Sequence, residues 1–306
     1  MNSDASSPVR RALFGALSTV ILIAGCASDD SSSVDSTALT SATTAAGSDG
    51  TAATANDCAP VIATFRAVES ANSGLADPSL VTACDGTVVS VQTNSMPDYL
   101  YIEASPGEPE ASDLTFRIPL TPEVAAAPSD VALLGPIAVA INGVAIYGPT
   151  EATGGDVLSL VGALSECGSH NGPTGFHMHL FLWAAGVDCM YDASEVEAGG
   201  SLQVGWSLDG YRIMSGLVCA DDACSSTHQL TRSWQLTNDS LFASDTWTAH
   251  SYVDGSGDLD QCNGRVDADG EYRYYTTPTF PYFLGCYRGT VAADAGGGLN
   301  GIGGPP

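Results

Sequence analysis

Apolar and polar residues alternate in several short runs along this chain. In "DGTVVSVQTNS" (85–95) and "DYLYIEAS" (98–105) every second position is apolar, the period of a half-buried strand. "LTFRIPL" (114–120) does the same and ends near a proline, which suits a strand end or edge. In "VALLGPIAVAINGVAIYGP", Asn142-Gly143 separates two apolar runs and predicts a type I′ hairpin. "VGWSLDGYRIMSG" repeats the pattern around Asp209-Gly210. Helical periodicity is scarce, and "CAPVIATFRAVESANSG" and "PSDVALLG" fit either state. Glycine and proline punctuate the whole length. The pattern predicts a mainly β, loop-rich fold, a sandwich or a barrel-like domain.

The ends differ from the middle. Arg10 and Arg11 precede a short apolar run that stops at "IAGC", Ile23 to Cys26. That run is short for a membrane span, and "IAGC" resembles the lipobox of bacterial lipoproteins, whose cysteine becomes the lipidated first residue. The alternative is an ordinary signal peptide with Cys26 unmodified. Residues 1–25 are thus expected to be a lipoprotein signal peptide, with Cys26 anchoring the chain to a membrane. Residues 26–56 are rich in Ser, Thr, Ala and Asp, have no aromatic, and read as a flexible tether. Residues 57–294 form the expected domain, and 295–306 a Gly/Pro tail. The expected location is the cell envelope, facing the periplasm or the exterior.

Besides Cys26 there are eight cysteines, an even number that fits four disulfides in an oxidising compartment. Sequential pairing is the expectation, because each pair brackets one local segment: Cys58 with Cys84, Cys167 with Cys189, Cys219 with Cys224, Cys262 with Cys286. No C-x-x-C spacing favours a thiolate metal site.

Charge removes several functions. The nine basic residues are all arginine, against 35 acidic ones, for a net charge of -26. Without lysine there is no Schiff base and no phosphate-loop lysine. The negative field repels nucleic acid and anionic headgroups. No G-x-S-x-G or H-E-x-x-H occurs.

The segments "CGSHNGPTGFHMH", "GWSLDGYRI" and "LDQCNGRVDADGEYRYYTTPTFPYFLGCYRG" together resemble the YHYH-domain proteins, exported bacterial proteins named for a Tyr-His-Tyr-His tetrad. The resemblance covers roughly residues 130 to 290. The tetrad reads Phe176-His177-Met178-His179 in one segment and Tyr272-Arg273-Tyr274-Tyr275 in the other. The second copy lacks both histidines. The paired hairpins and paired tetrads are a loose match with unequal spacing, which fits convergent turn chemistry better, with an internal duplication as the alternative.

His177 and His179 are spaced i, i+2, so a strand presents both imidazoles on one face and turns Phe176 and Met178 to the other. This is how a strand supplies two ligands to Zn²⁺ or Cu²⁺. His170, in the preceding turn, is the candidate third. An exposed acidic residue, His228 or His250 is the candidate fourth. The alternatives are a hydrogen-bonded structural cluster or metal-free acid–base chemistry. Asp209 is a candidate catalytic acid or base, or a residue that orients a metal-binding histidine. A second candidate site is the acidic stretch from Asp254, where Asp254, Asp258, Asp260, Asp267 and Asp269 have the character of calcium ligands without fitting the twelve-residue calcium loop.

Two function classes follow: a lipid-anchored binding protein for a transition-metal ion, and a surface metal-assisted enzyme, hydrolase or oxidoreductase, using the same histidines. A third, an adhesion or glycan-binding module, would use exposed Trp183, Trp206, Trp234 or tyrosines.

Overall fold

The computed structural model describes residues 58–104 and 107–296. The signal segment, Cys26, the tether and residues 297–306 lie outside the described residues. The chain stays paired beyond Asp294. Arg117 N–H donates to the Ala295 carbonyl at 2.7 Å, Gly296 bridges Phe116, and Ala295 is buried. Among the described residues no helix is long and apolar enough to cross a membrane.

A short helix, α1 (Ala59–Ile62), leads to an antiparallel sheet of β1 (Leu80–Cys84), β2 (Val88–Thr93) and β3 (Leu114–Pro119). β4 (Val124–Ser129) follows. Two hairpins come next, β5 (Pro136–Ala140) with β6 (Ala145–Tyr147) and β7 (Ser169–Gly172) with β8 (Gly175–Met178). β9 (Gln203–Ser207) and β10 (Arg212–Met214) form the third. Two peripheral pairs follow, β11 (Leu217–Cys219) with β12 (Thr227–Gln229), and β13 (Trp234–Leu236) with β14 (His250–Tyr252). The fourth hairpin is β15 (Gly264–Val266) with β16 (Tyr272–Tyr275), and β17 (Tyr287–Gly289) returns to pair with β4.

The four hairpins make one open eight-stranded sheet, ordered β15-β16-β10-β9-β5-β6-β8-β7. Its two edges never meet, so the barrel expectation gives way to layered sheets. Val89, Val91, Phe116 and Ile118 of the small sheet share one core with Ile137, Val139, Phe176 and Met178 of the large one. Strand β5 is buried at every position, which explains why its sequence runs apolar without alternating.

The strand order is a palindrome, and the register agrees. Val139 faces Trp206 at the centre, flanked by Ala138 opposite Ser207 and Ala140 opposite Gly205. On one side β6 runs parallel to β8, which pairs with β7; on the other β10 runs parallel to β16, which pairs with β15. Ile146 faces Met178 as Ile213 faces Tyr274. His170 faces His177 as Arg265 faces Arg273. The left-handed residue after each cysteine also matches, Gly168 (φ 80°) and Asn263 (φ 67°). This is a duplicated architecture, so the second of the two readings of the paired tetrads holds.

All four expected disulfides are present, with Cα–Cα distances of 6.3, 5.5, 4.7 and 4.4 Å for Cys58–Cys84, Cys167–Cys189, Cys219–Cys224 and Cys262–Cys286. Such a set belongs to an extracellular or periplasmic setting.

Three local expectations need correction. The two central hairpins do not turn as type I′. In each, only the glycine has positive φ, Gly143 at 86° and Gly210 at 88°. Gly143 N–H donates to the Ala140 carbonyl and Ala140 N–H to Val144; Gly210 and Ser207 repeat this with Ser207 and Tyr211. That is a three-residue loop with the glycine in the left-handed position. Residues 98–104 form no strand despite their alternation. The Asn72 amide takes the backbone groups a neighbouring strand would have used, donating to the Tyr99 carbonyl (2.9 Å) and accepting from Tyr101 N–H (2.8 Å). Finally, "FPYFLG" is buried core as expected, but it turns rather than extends, and only Tyr287–Gly289 is strand.

Candidate metal centre

The β7–β8 hairpin sets His170 directly opposite His177, and His179 follows two residues on. All three rings are buried, while Phe176 and Met178 enter the core from the other face. Each imidazole is fixed through Nδ1. His170 Nδ1–H donates to the Ala163 carbonyl at 3.1 Å, His177 to Gly175 at 2.9 Å, and His179 to Gly148 at 2.6 Å. A carbonyl can only accept, so these contacts assign the proton to Nδ1 and leave every Nε2 with a bare lone pair.

Those lone pairs converge. Nε2 of His177 lies 3.0 Å from Nε2 of His170 and 3.1 Å from Nε2 of His179. No ring supplies a proton to another, so the trio is electrostatically unfavourable as it stands. One cation between them resolves it. Tetrahedral Zn–N bonds of about 2.0–2.1 Å place neighbouring nitrogens about 3.3 Å apart. The observed spacings are within a few tenths of an ångström of that value. Carbonyl partners on the far nitrogens are the usual outer shell of metal-binding histidines. Burial, together with the neighbouring rings, pushes the His177 imidazole down to about 3 and that of His179 well below its ordinary range. Both stay neutral, the form that binds metal.

A carboxylate stands beside the three rings. Glu151 Oε1 lies 3.4 Å from His170 Nε2 and 3.7 Å from His179 Nε2, and is buried without a hydrogen-bond partner. Neither His228 nor His250 takes the fourth place. His228 sits exposed on β12 against Asp258, and His250 stacks on Phe280 at 3.9 Å. Glu151 belongs to a loop that gives no periodic signal. The loop is held by Asp156, whose carboxylate accepts from Leu158 N–H, Thr246 and Tyr282. Tyr147 stacks on His177 with ring centroids 3.9 Å apart. The centre opens onto a cavity of about 350 Å³.

The matching place in the other half holds different chemistry. Arg265, Arg273 and Tyr275 stand where His170, His177 and His179 stand, and all three bind one carboxylate, that of Asp267. Asp267 is the counterpart of Gly172. A Cβ on Gly172 would lie 2.7 Å from His177 Cε1, so the first half keeps room for imidazoles where the second carries its own anion.

The remaining expectations are placed as follows. The five aspartates are not gathered into one oxygen-lined site. Asp267 and Asp269 pair with Arg273, Asp258 with Thr231 and His228, Asp254 with Tyr252, and Asp260 with Tyr272 and its own turn. Among the described residues, the group of three or more ligand-type side chains is His170, His177 and His179. Asp209 lies outside the cavity lining and is fully engaged by Ser207, Tyr274 (2.6 Å) and Gly289 N–H (2.8 Å), a packing hub of the second half. The tryptophans form no exposed platform. Trp206 is buried, Trp183 and Trp234 are half-buried, and the indole N–H groups of Trp206 and Trp234 are bonded internally.

The fold and site define a disulfide-stabilised, internally duplicated β protein with one buried three-histidine centre. A family model described as "YHYH protein" matches residues 115–289, more than half of the chain, and the chain belongs to that family. No curated protein and no solved structure matches it.

Proposed function

We propose that this chain is a lipid-anchored extracytoplasmic protein that binds one transition-metal ion, Zn²⁺ or Cu²⁺, through His170, His177 and His179, with Glu151 as the fourth protein ligand. The observation that carries this is the convergence of three Nε2 lone pairs whose rings are locked by backbone carbonyls. The test is elemental analysis of the purified chain after loading with Zn²⁺ or Cu²⁺, beside His177→Ala/His179→Ala. About one equivalent in the parent and none in the variant is expected. No stoichiometric metal in the parent, or equal metal in both, overturns the reading. The anchor rests on "IAGC" and has its own test, an acyl-modified Cys26 in the mature N-terminal peptide.

A second reading, a metal-assisted enzyme, is favoured by the cavity in front of the centre. A catalytic metal keeps an open coordination position, so azide or imidazole binds it, whereas a closed storage site resists them.

A further inference from the structure

The cavity over the three histidines has walls unlike its floor. Leu134, Ala152, Leu160, Ala163, Pro173 and the Tyr147 ring make the walls. The hydroxyls among them are already engaged. Tyr147 and Thr174 bond each other at 2.8 Å, and Thr150 accepts from the Trp247 indole at 2.9 Å. Apart from Asn171, whose Oδ1 accepts from Glu110 N–H, the wall offers apolar contact, and polar recognition falls mainly to the centre. Leu160 of this wall is also 44% exposed. Leu160 thus belongs to both the rim and the wall. The volume, about 350 Å³, is in the range of a small-molecule site.

Charge narrows the ligand further. No arginine lines the cavity, the chain has no lysine, and Glu151 is the charged side chain there. A divalent ion held by three neutral imidazoles and one carboxylate keeps a single positive charge. That suits one negative charge on a ligand and leaves nothing to neutralise a phosphate dianion.

Resting on the metal reading above, we infer that this site binds a small monoanionic amphiphile, the carboxylate of an aromatic or short aliphatic acid. The carboxylate oxygen takes a fifth position at the metal on its cavity side, and the apolar body fills the cavity towards Leu160. Acetate has the head without the body and gains nothing from the walls. Inorganic phosphate has charge without a partner for it.

The experiment uses the purified full chain loaded with Co²⁺, whose visible spectrum reports changes at the metal. Metal content is measured first. Benzoate and hexanoate are then titrated against acetate and inorganic phosphate. Benzoate and hexanoate are expected to bind at least tenfold more tightly than acetate, with no saturable effect of phosphate. Leu160→Asp and Leu134→Asn, which replace no metal ligand, are expected to keep full metal content and lose that tenfold preference. Stoichiometric Co²⁺ with equal affinity for benzoate and acetate overturns this inference and leaves the metal reading standing. A preference that survives in both variants overturns it too. Absence of stoichiometric Co²⁺ removes both readings together.

Discussion

Gly172 lies so close to the His177 ring across the β7–β8 turn that a side chain at Gly172 cannot coexist with the ring in its place. Its Cβ would sit 2.7 Å from Cε1. Gly172→Ala should therefore tilt the imidazole away from its neighbours without changing any ligand atom. Loss of orientation around a metal ligand typically costs about 10–100-fold in affinity. A chelator-competition titration should show that loss, with the far-ultraviolet circular dichroism of the parent retained.

Glu151→Gln keeps an oxygen at the same place and removes its charge. Metal is expected still to bind, but about tenfold or more weakly. The same competition assay reads it. Unchanged affinity would show that the carboxylate is not a ligand.

Acid should destabilise the metal-free protein through the buried imidazoles. His177 has an ordinary value of 6.5 and is held down to about 3 in the fold. A depressed folded value means the stabilisation is fully present above 6.5 and is lost as pH falls from there towards 3, because the unfolded chain binds the proton first. From these values His177 alone costs about 2 kcal/mol between pH 7 and pH 5. Denaturant unfolding with EDTA at the two pH values should show a drop of that order. His177→Asn should flatten the dependence.

In the second half, Asp267→Ala strands the half-buried Arg265 guanidinium and the Tyr275 phenol, while Arg273 keeps Asp269. A loss of about 1–3 kcal/mol in unfolding free energy is expected, since an unpaired charge is left in a poorly solvated place. Metal content should stay at the parent level. A fall in metal content would mean that the two halves are not separable.

The disulfides allow a direct mass map. Non-reducing digestion should return the four local pairs, with no free thiol among the eight cysteines of the domain. Cys262→Ser/Cys286→Ser should cost about 2–5 kcal/mol, the usual loss for a native bridge in an exported domain.

Much of this arrangement was legible in the sequence because it is local. The i, i+2 spacing of His177 and His179 already fixes their common face, and a short turn suffices to bring His170 opposite. Each cysteine pair brackets one compact segment. The likeness of the two halves is readable only in part: His170 and Arg265 each lie three residues after their cysteine, but the tetrads start nine residues after Cys167 and ten after Cys262. The misses came from partners distant in sequence. Glu151 is brought to the centre by a loop that Thr246 and Tyr282 hold in place through Asp156. The strand pattern at 98–104 yields to an amide from Asn72. Of the aspartates from Asp254, Asp258 is taken up by Thr231 and His228 and Asp260 by Arg288, all distant in sequence, while Asp267 and Asp269 meet Arg265 and Arg273 within their own hairpin. Charge taken along one strand says nothing of what the next strand supplies.

The contrast between Gly172 and Asp267 has a consequence for how the two halves are completed. One half contains its own counter-ion and is finished when the chain is finished. The other presents three bare Nε2 lone pairs, which on the metal reading proposed above are completed by an ion from the surrounding medium. Starvation for metal should therefore act on this molecule unevenly, loosening the hairpin and loop around residues 148–180 while the C-terminal hairpins keep their protection. Limited proteolysis would then cut a metal-poor chain in its first half alone, and the protein would register the metal supply of its compartment in its own lifetime there.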